Sequence, residues 1–166
     1  MLHQLGIVQQ RFHAIPVSRE DKDLVTVLGF LQIVMNTAAA PAAASTSVLD
    51  YAATFLGVPY VYGGSSPSGF DCSGFVYYVY NSLGYPLSRM ISGMNQSGVY
   101  VPKSELQPGD IIIFANTYTT GLSHVGIYVG NGQFIHAPSS GKVVSYANLN
   151  TDYYIAHYYG AVRYTK

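Results

Sequence analysis

After Pro108 the sequence breaks into short apolar runs closed by glycine or asparagine turns, and this punctuation constrains the fold more than any other feature. Residues 111–115, 124–129, 133–137, 143–146 and 158–164 read as strands, with Gly130-Asn131-Gly132 as a hairpin signal. The chain before Pro108 has a different period. Val48–Leu56 carries apolar residues at helical spacing and stops at Gly57. A second helix is expected from Cys72, capped by Asp71, with Phe75, Val76, Val79, Tyr80 and Leu83 as its apolar stripe and Gly84 as its stop. A polar loop containing Arg89 and Gln96 follows. Helices first and strands together afterwards predict an α+β domain, N-terminal helices packed on an antiparallel sheet.

Composition narrows the function classes. The 166 residues suit one domain with a core large enough to need no disulfide or metal. Charged residues make up 10% and the formal net charge is zero, which argues against capture of nucleic acid. Sixteen tyrosines, no tryptophan and seventeen glycines suit a domain rich in strands and turns, most of the tyrosines serving packing. The lone Cys72 excludes an internal disulfide and a cysteine zinc cluster, and no His-Glu-x-x-His segment occurs. Neither a metal nor another cofactor is expected, and a monomer is.

Residues 1–44 read as a segment apart. Leu24–Met35 is an apolar run preceded by Arg11, Arg19 and Lys22 and followed by alanine-rich sequence, the layout of a secretory signal peptide. Glu20, Asp21 and Asp23 offset the basic flank, so an uncleaved N-terminal anchor is the alternative, and the segment's true start is open. On this reading the mature domain is 45–166, secreted to the cell exterior, wall or periplasm. A free thiol in an exported protein favours a working cysteine.

Cys72 at a helix start, with His124 and His136 on later strands, is the set that thiol-based nucleophilic catalysis needs. A helix N-terminus and a nearby imidazole both favour the thiolate. His124 would take the proton from sulfur and His136 would hold His124 in its tautomer. The plainer alternative for Cys72 is a small buried hydrophobe. Arg89 lies in the polar loop after this helix, and Asp71 caps the helix start.

The segments GVPYVYGGSSPSGFDCSGF, LQPGDIIIF and SHVGIYVGNGQFIHAP resemble those of the NlpC/P60 cysteine peptidases, over roughly Val48 to Lys166. The resemblance implies a papain-like fold and cleavage of peptidoglycan stem peptides or muropeptides, commonly at the γ-D-glutamyl to diamino acid bond. Carried onto this chain, it makes Cys72 the nucleophile, His124 the base and His136 the third polar residue. Tyr60 falls near the oxyanion site, Asp71 and Ser73 at substrate-contacting positions, and Arg89 at the arginine after the nucleophile helix. The alternatives are an amidase or acyltransferase on the same fold, or a catalytically silent wall-binding module.

One geometric condition follows from the alternation of side chains along a strand. His124 and His136 share a face only if position 136 lies opposite Gly126. A regular two-residue Asn131-Gly132 turn would place 136 opposite Ile127 instead. The expectation is therefore a three-residue loop, Gly130-Asn131-Gly132, pairing Val129 with Gln133 and setting Gly132 at positive φ.

Overall fold

The structure is a computed structural model that describes residues 47–165; the expected secretory segment lies outside the described residues. Helix α1 covers residues 47–53, and Val48 and Ala52 are buried from it. Strands β1 (Ser65–Ser66) and β2 (Gly69–Phe70) form a small antiparallel ribbon leading into α2 (Cys72–Ser82). Then come α3 (Ile91–Ser97), β3 (Val99–Val101), a 3-10 turn, β4 (Ile111–Ala115), β5 (Leu122–Gly130) and β6 (Gln133–His136). β7 (Ser145–Asn148), α4 (Asp152–His157) and β8 (Tyr158–Arg163) complete the chain. The six-stranded sheet runs β3-β8-β4-β5-β6-β7, antiparallel throughout, so the α+β class holds.

β4 is central, and Ile111 to Phe114 are all fully buried because both faces of the strand are covered. Each such side chain contributes about 2–3 kcal/mol of apolar burial. On one face Ile111, Ile113, Val125, Ile127 and Ile135 join Phe75, Val76 and Val79 of α2. On the other, Ile112, Phe114, Phe134 and Leu149 form a smaller cluster beneath Tyr154 of α4. Buried Asp110 ties the start of β4 to the end of β8, accepting from Arg163 at 2.7 and 2.8 Å and from the Gln107 N–H at 2.7 Å.

Three segments differ from their sequence expectation. The loop carrying Arg89 and Gln96 contains α3, which buries Ile91 and Met94, and the edge strand β3. β3 pairs with β8, a partner some sixty residues away that no local pattern reveals. The strand expected at 143–146 begins at Ser145, because Val143 bridges Pro59 and Val144 exchanges backbone bonds with Val58 and Gly57 at 2.8 and 3.0 Å. Residues 152–157 form α4, capped by Thr151.

The β5–β6 hairpin corrects the expected turn while keeping its consequence. Gly130 pairs with Gln133 across a two-residue Asn131-Gly132 turn with φ of 52° and 71°, the signature of a type I′ turn. The register then slips between Tyr128 and Gly130, so that Tyr128 faces Phe134 and Ile127 faces Ile135. Val129 is the extra residue of a bulge inside the strand rather than in the loop. One step on, position 126 lies opposite 136: a methyl added at Gly126 would come within 3.2 Å of the His136 Cβ. The bulge restores the shared face of the histidines.

Candidate active site

The start of α2 is built around its cap. Asp71 caps the helix, its Oδ1 accepting from the Gly74 N–H at 2.6 Å. Its Oδ2 accepts from the Gly63 N–H at 3.0 Å and from Arg89 at 2.6 Å. The other terminal nitrogen of Arg89 donates to Ser73 Oγ at 2.5 Å. Asp71, Ser73 and Arg89 are therefore one network bracing the helix entrance. Tyr60 stands beside it: its N–H donates to the Lys142 carbonyl at 2.9 Å, and burial, with Cys72 and Asp71 nearby, raises its phenol pKa.

Gly74 makes this entrance possible. A methyl there would lie 1.9 Å from the Gly64 carbonyl oxygen, which itself accepts the Asp71 N–H at 3.0 Å. Helix and loop backbones pack here without room for a side chain. Gly74→Ala is expected to lower the melting temperature by several degrees and to weaken activity out of proportion, since it displaces the residues flanking Cys72. A variant with unchanged melting temperature and rate would show that this contact relaxes freely.

Cys72 is 3% exposed, and its Sγ lies 4.0 Å from the main-chain oxygen of Ser123. Burial, then the Asp71 carboxylate, push the thiol up to about 11, against the pull of the Ser73 and Val125 N–H groups. The loss of hydration therefore outweighs the helix start and favours the protonated thiol. The Ser123 carbonyl reaches the thiol because Ser123 is itself a bulge: Ala115 pairs with Leu122 and Phe114 with His124, leaving Ser123 unpaired between them. Its Oγ bonds Thr117 through the N–H at 2.9 Å and the hydroxyl at 2.7 Å. Sequence reading missed Ser123 and Thr117; a bulge leaves no periodic signal in so short a strand.

His124 Nε2 and His136 Nδ1 are 2.7 Å apart, and both residues are buried. Phe114, Phe134 and Tyr154 surround the pair. Burial pushes His124 down to about 4 and His136 to about 3, so both are neutral near pH 7. In a neutral pair one ring donates and the other accepts. If His124 donates through Nε2, its Nδ1 carries a lone pair free to receive a proton. His157 lies elsewhere, 3.0 Å from the Ala115 carbonyl. Among the described residues no group of three or more His, Cys, Asp or Glu side chains could hold a metal ion.

A thiol at a helix start, set against the strand of a paired imidazole on an antiparallel sheet, defines the papain-like class of cysteine hydrolases. Comparison with known proteins narrows the class. The NlpC/P60 family model matches residues 57–163, and the chain belongs to that family. It is 49% identical over 120 residues to a γ-DL-glutamyl hydrolase of Bacillus subtilis, an alignment covering 70% of this chain and 29% of that protein. It is 41% identical over 125 residues to a γ-D-glutamyl-L-lysine dipeptidyl-peptidase of Bacillus cereus, covering 75% and 38%. The crystal structure of an NlpC/P60 family protein from Bacillus cereus superposes with a TM-score of 0.69 at 40% identity, covering 72% of this chain and 40% of that one. The chain thus spans about a third of the length of these curated relatives.

Proposed function

We propose that this protein is a secreted peptidoglycan endopeptidase that hydrolyses stem peptides at the γ-D-glutamyl to diamino acid bond through a thioacyl enzyme. The observation carrying this reading is the 2.7 Å His124–His136 pair on β5 and β6, beside the strand segment on which the Cys72 thiol rests. Two relatives named for γ-glutamyl hydrolysis support the choice of bond, since in both names the scissile carbonyl is the side-chain carbonyl of a glutamyl residue.

Because the thiol and imidazoles rest neutral, the proton leaves sulfur as the substrate carbonyl is attacked. Sγ bonds to the γ-carbonyl carbon, His124 Nδ1 takes the thiol proton, and His136 Nδ1 steadies the resulting imidazolium by accepting from its Nε2–H. The backbone N–H groups at the start of α2, with the Tyr60 phenol, face the oxyanion. The imidazolium then protonates the departing amine, and water releases the thioacyl group with His124 again as base. Asp71, Ser73 and Arg89 hold the entrance and contact the peptide ahead of the reacting carbonyl.

Mass spectrometry of defined muropeptides after incubation with residues 45–166 tests the reading. Fragments ending in γ-D-glutamate, with a new amine on the diamino acid, are expected. Fragments cut only elsewhere would overturn the bond assignment, and cleavage of γ-linked oligoglutamate alone would replace the wall with a glutamyl polymer as substrate. Export predicts an extracellular or periplasmic form whose first residue lies between about Ala40 and Val48; full-length protein confined to the cytosol would refute it.

A further inference from the structure

Helix α4, between β7 and β8, has only six residues and buries none of them fully; Tyr153 and Ile155 are about half exposed. So short a helix does not stand alone in water, and its position is set by what it touches. Thr151 caps one end, its Oγ1 accepting from the Tyr154 N–H at 3.5 Å. At the other end His157 Nδ1 lies 3.0 Å from the Ala115 carbonyl of β4. Between these two pins Tyr154 is half-buried, with its ring against the sheet.

That ring meets Phe134 at 4.8 Å between centroids, Phe114 at 5.2 Å and His136 at 6.0 Å, edge-on to Phe134 and His136. Phe134 and His136 are themselves 4.8 Å apart, and Phe114 and His124 are 5.8 Å apart. Each imidazole therefore rests on one phenylalanine of the sheet, while Tyr154 spans both phenylalanines and His136. Strands β4 and β6 fix the two phenylalanines. The third wall of this box comes from a helix held at its ends.

We infer that Tyr154 is a positioning residue for the histidine pair: its ring holds the His136 imidazole against His124 and keeps water from both. The inference rests on the roles proposed for His124 and His136 in cleavage. An imidazole turns about two side-chain bonds, so the 2.7 Å contact lasts only while the space beside His136 is filled. An aromatic edge fills that space without competing for the ring nitrogens, which water would do. The Tyr154 hydroxyl has no hydrogen-bond partner among the described residues, so the ring does the holding. The titratable groups facing His136 are His124 on β5, Lys142 on the loop after β6 and Tyr154 itself. Burial, then His124 and Lys142, hold His136 down, whereas burial raises the Tyr154 phenol and keeps it neutral.

Histidine NMR on the protein, with the His136 signal assigned through H136Q, tests the wall without substrate. Tyr154→Ala is expected to raise the His136 midpoint by about one pH unit, because water then reaches the ring. Y154F keeps the ring and should leave the midpoint in place. Should Y154A fail to fold, Y154V retains part of the wall and should shift the midpoint about half as far. In muropeptide hydrolysis the folded small-side-chain variant should lose about tenfold in kcat with KM within about twofold, since Tyr154 meets the imidazole and not the peptide. A lower melting temperature with an unmoved midpoint overturns the inference, as does an equal shift in Y154F. A change confined to KM overturns it too and makes Tyr154 a substrate contact. If the natural sequence cleaves no muropeptide, the functional reading fails, and the titration still decides the wall.

Discussion

Replacing Cys72 by Ala is expected to abolish muropeptide hydrolysis, a loss of at least ~10⁴-fold in kcat/KM, while the fold survives. The sulfur occupies a small volume at the helix start, and the cap is made by Asp71, which the substitution leaves in place. The melting temperature should therefore move by only a few degrees. Chelators should leave the natural sequence active. Residual turnover in the Ala variant, or loss with chelator that zinc restores, would move the chemistry from the thiol to a metal. Turnover by the natural sequence that the Ala variant lacks would exclude the silent-module reading.

The histidine pair carries the second large effect. His124→Ala should cost ~10⁴-fold in rate and His136→Ala roughly 10²-fold, because water or a neighbouring group can partly replace an orienting residue but not the base. Equal losses, or a larger loss at His136, would reverse the two roles. The same pair makes the fold acid-sensitive. Burial holds His124 near 4 and His136 near 3, below the ordinary value of 6.5, so the unfolded chain binds protons first as pH falls. Their contribution is complete above pH 6.5 and is lost as pH drops from there through about 4 and on toward 3. Urea midpoints at pH 7, 5 and 4 should decline steadily, and the double variant His124→Gln/His136→Gln should decline less. Parallel curves for the two proteins would assign the acid sensitivity to other groups. Cys72, raised to about 11, acts oppositely: its contribution is complete below pH 9 and is lost as pH rises toward 11.

Several features of the site were legible because they are local. Asp71 as cap, α2 starting at Cys72, and the burial of Phe75, Val76 and Val79 follow from a capping residue and a helical stripe within one turn of each other. β4 and β6 were readable as apolar runs between turns, and their observed bounds lie within one residue of those expected. Elements fixed by distant partners were not readable. β3 exists because β8 pairs with it, and β7 starts late because Val143 and Val144 are engaged by the loop before Tyr60. In the hairpin the Asn131-Gly132 pair did signal its two-residue turn, while the compensating bulge at Val129 is a property of the assembled sheet.

The sequence by itself determined the candidate residues and their elements: one thiol at a capped helix start and two imidazoles on neighbouring strands. The pairing of the imidazoles was decided by the tertiary structure. Strand alternation puts His124 with Phe114 and His136 with Phe134 on one face of the sheet, while α2 packs its apolar stripe on the other, against Val125 and Ile127. The helix start meets β5 where that strand is bulged at Ser123, whose carbonyl lies 4.0 Å from the Cys72 sulfur. The pair itself forms only because a second bulge at Val129 brings positions 126 and 136 opposite each other. A bulge moves every later side chain to the other face at the cost of one ladder pairing, and only the partner strand determines where that pairing is given up.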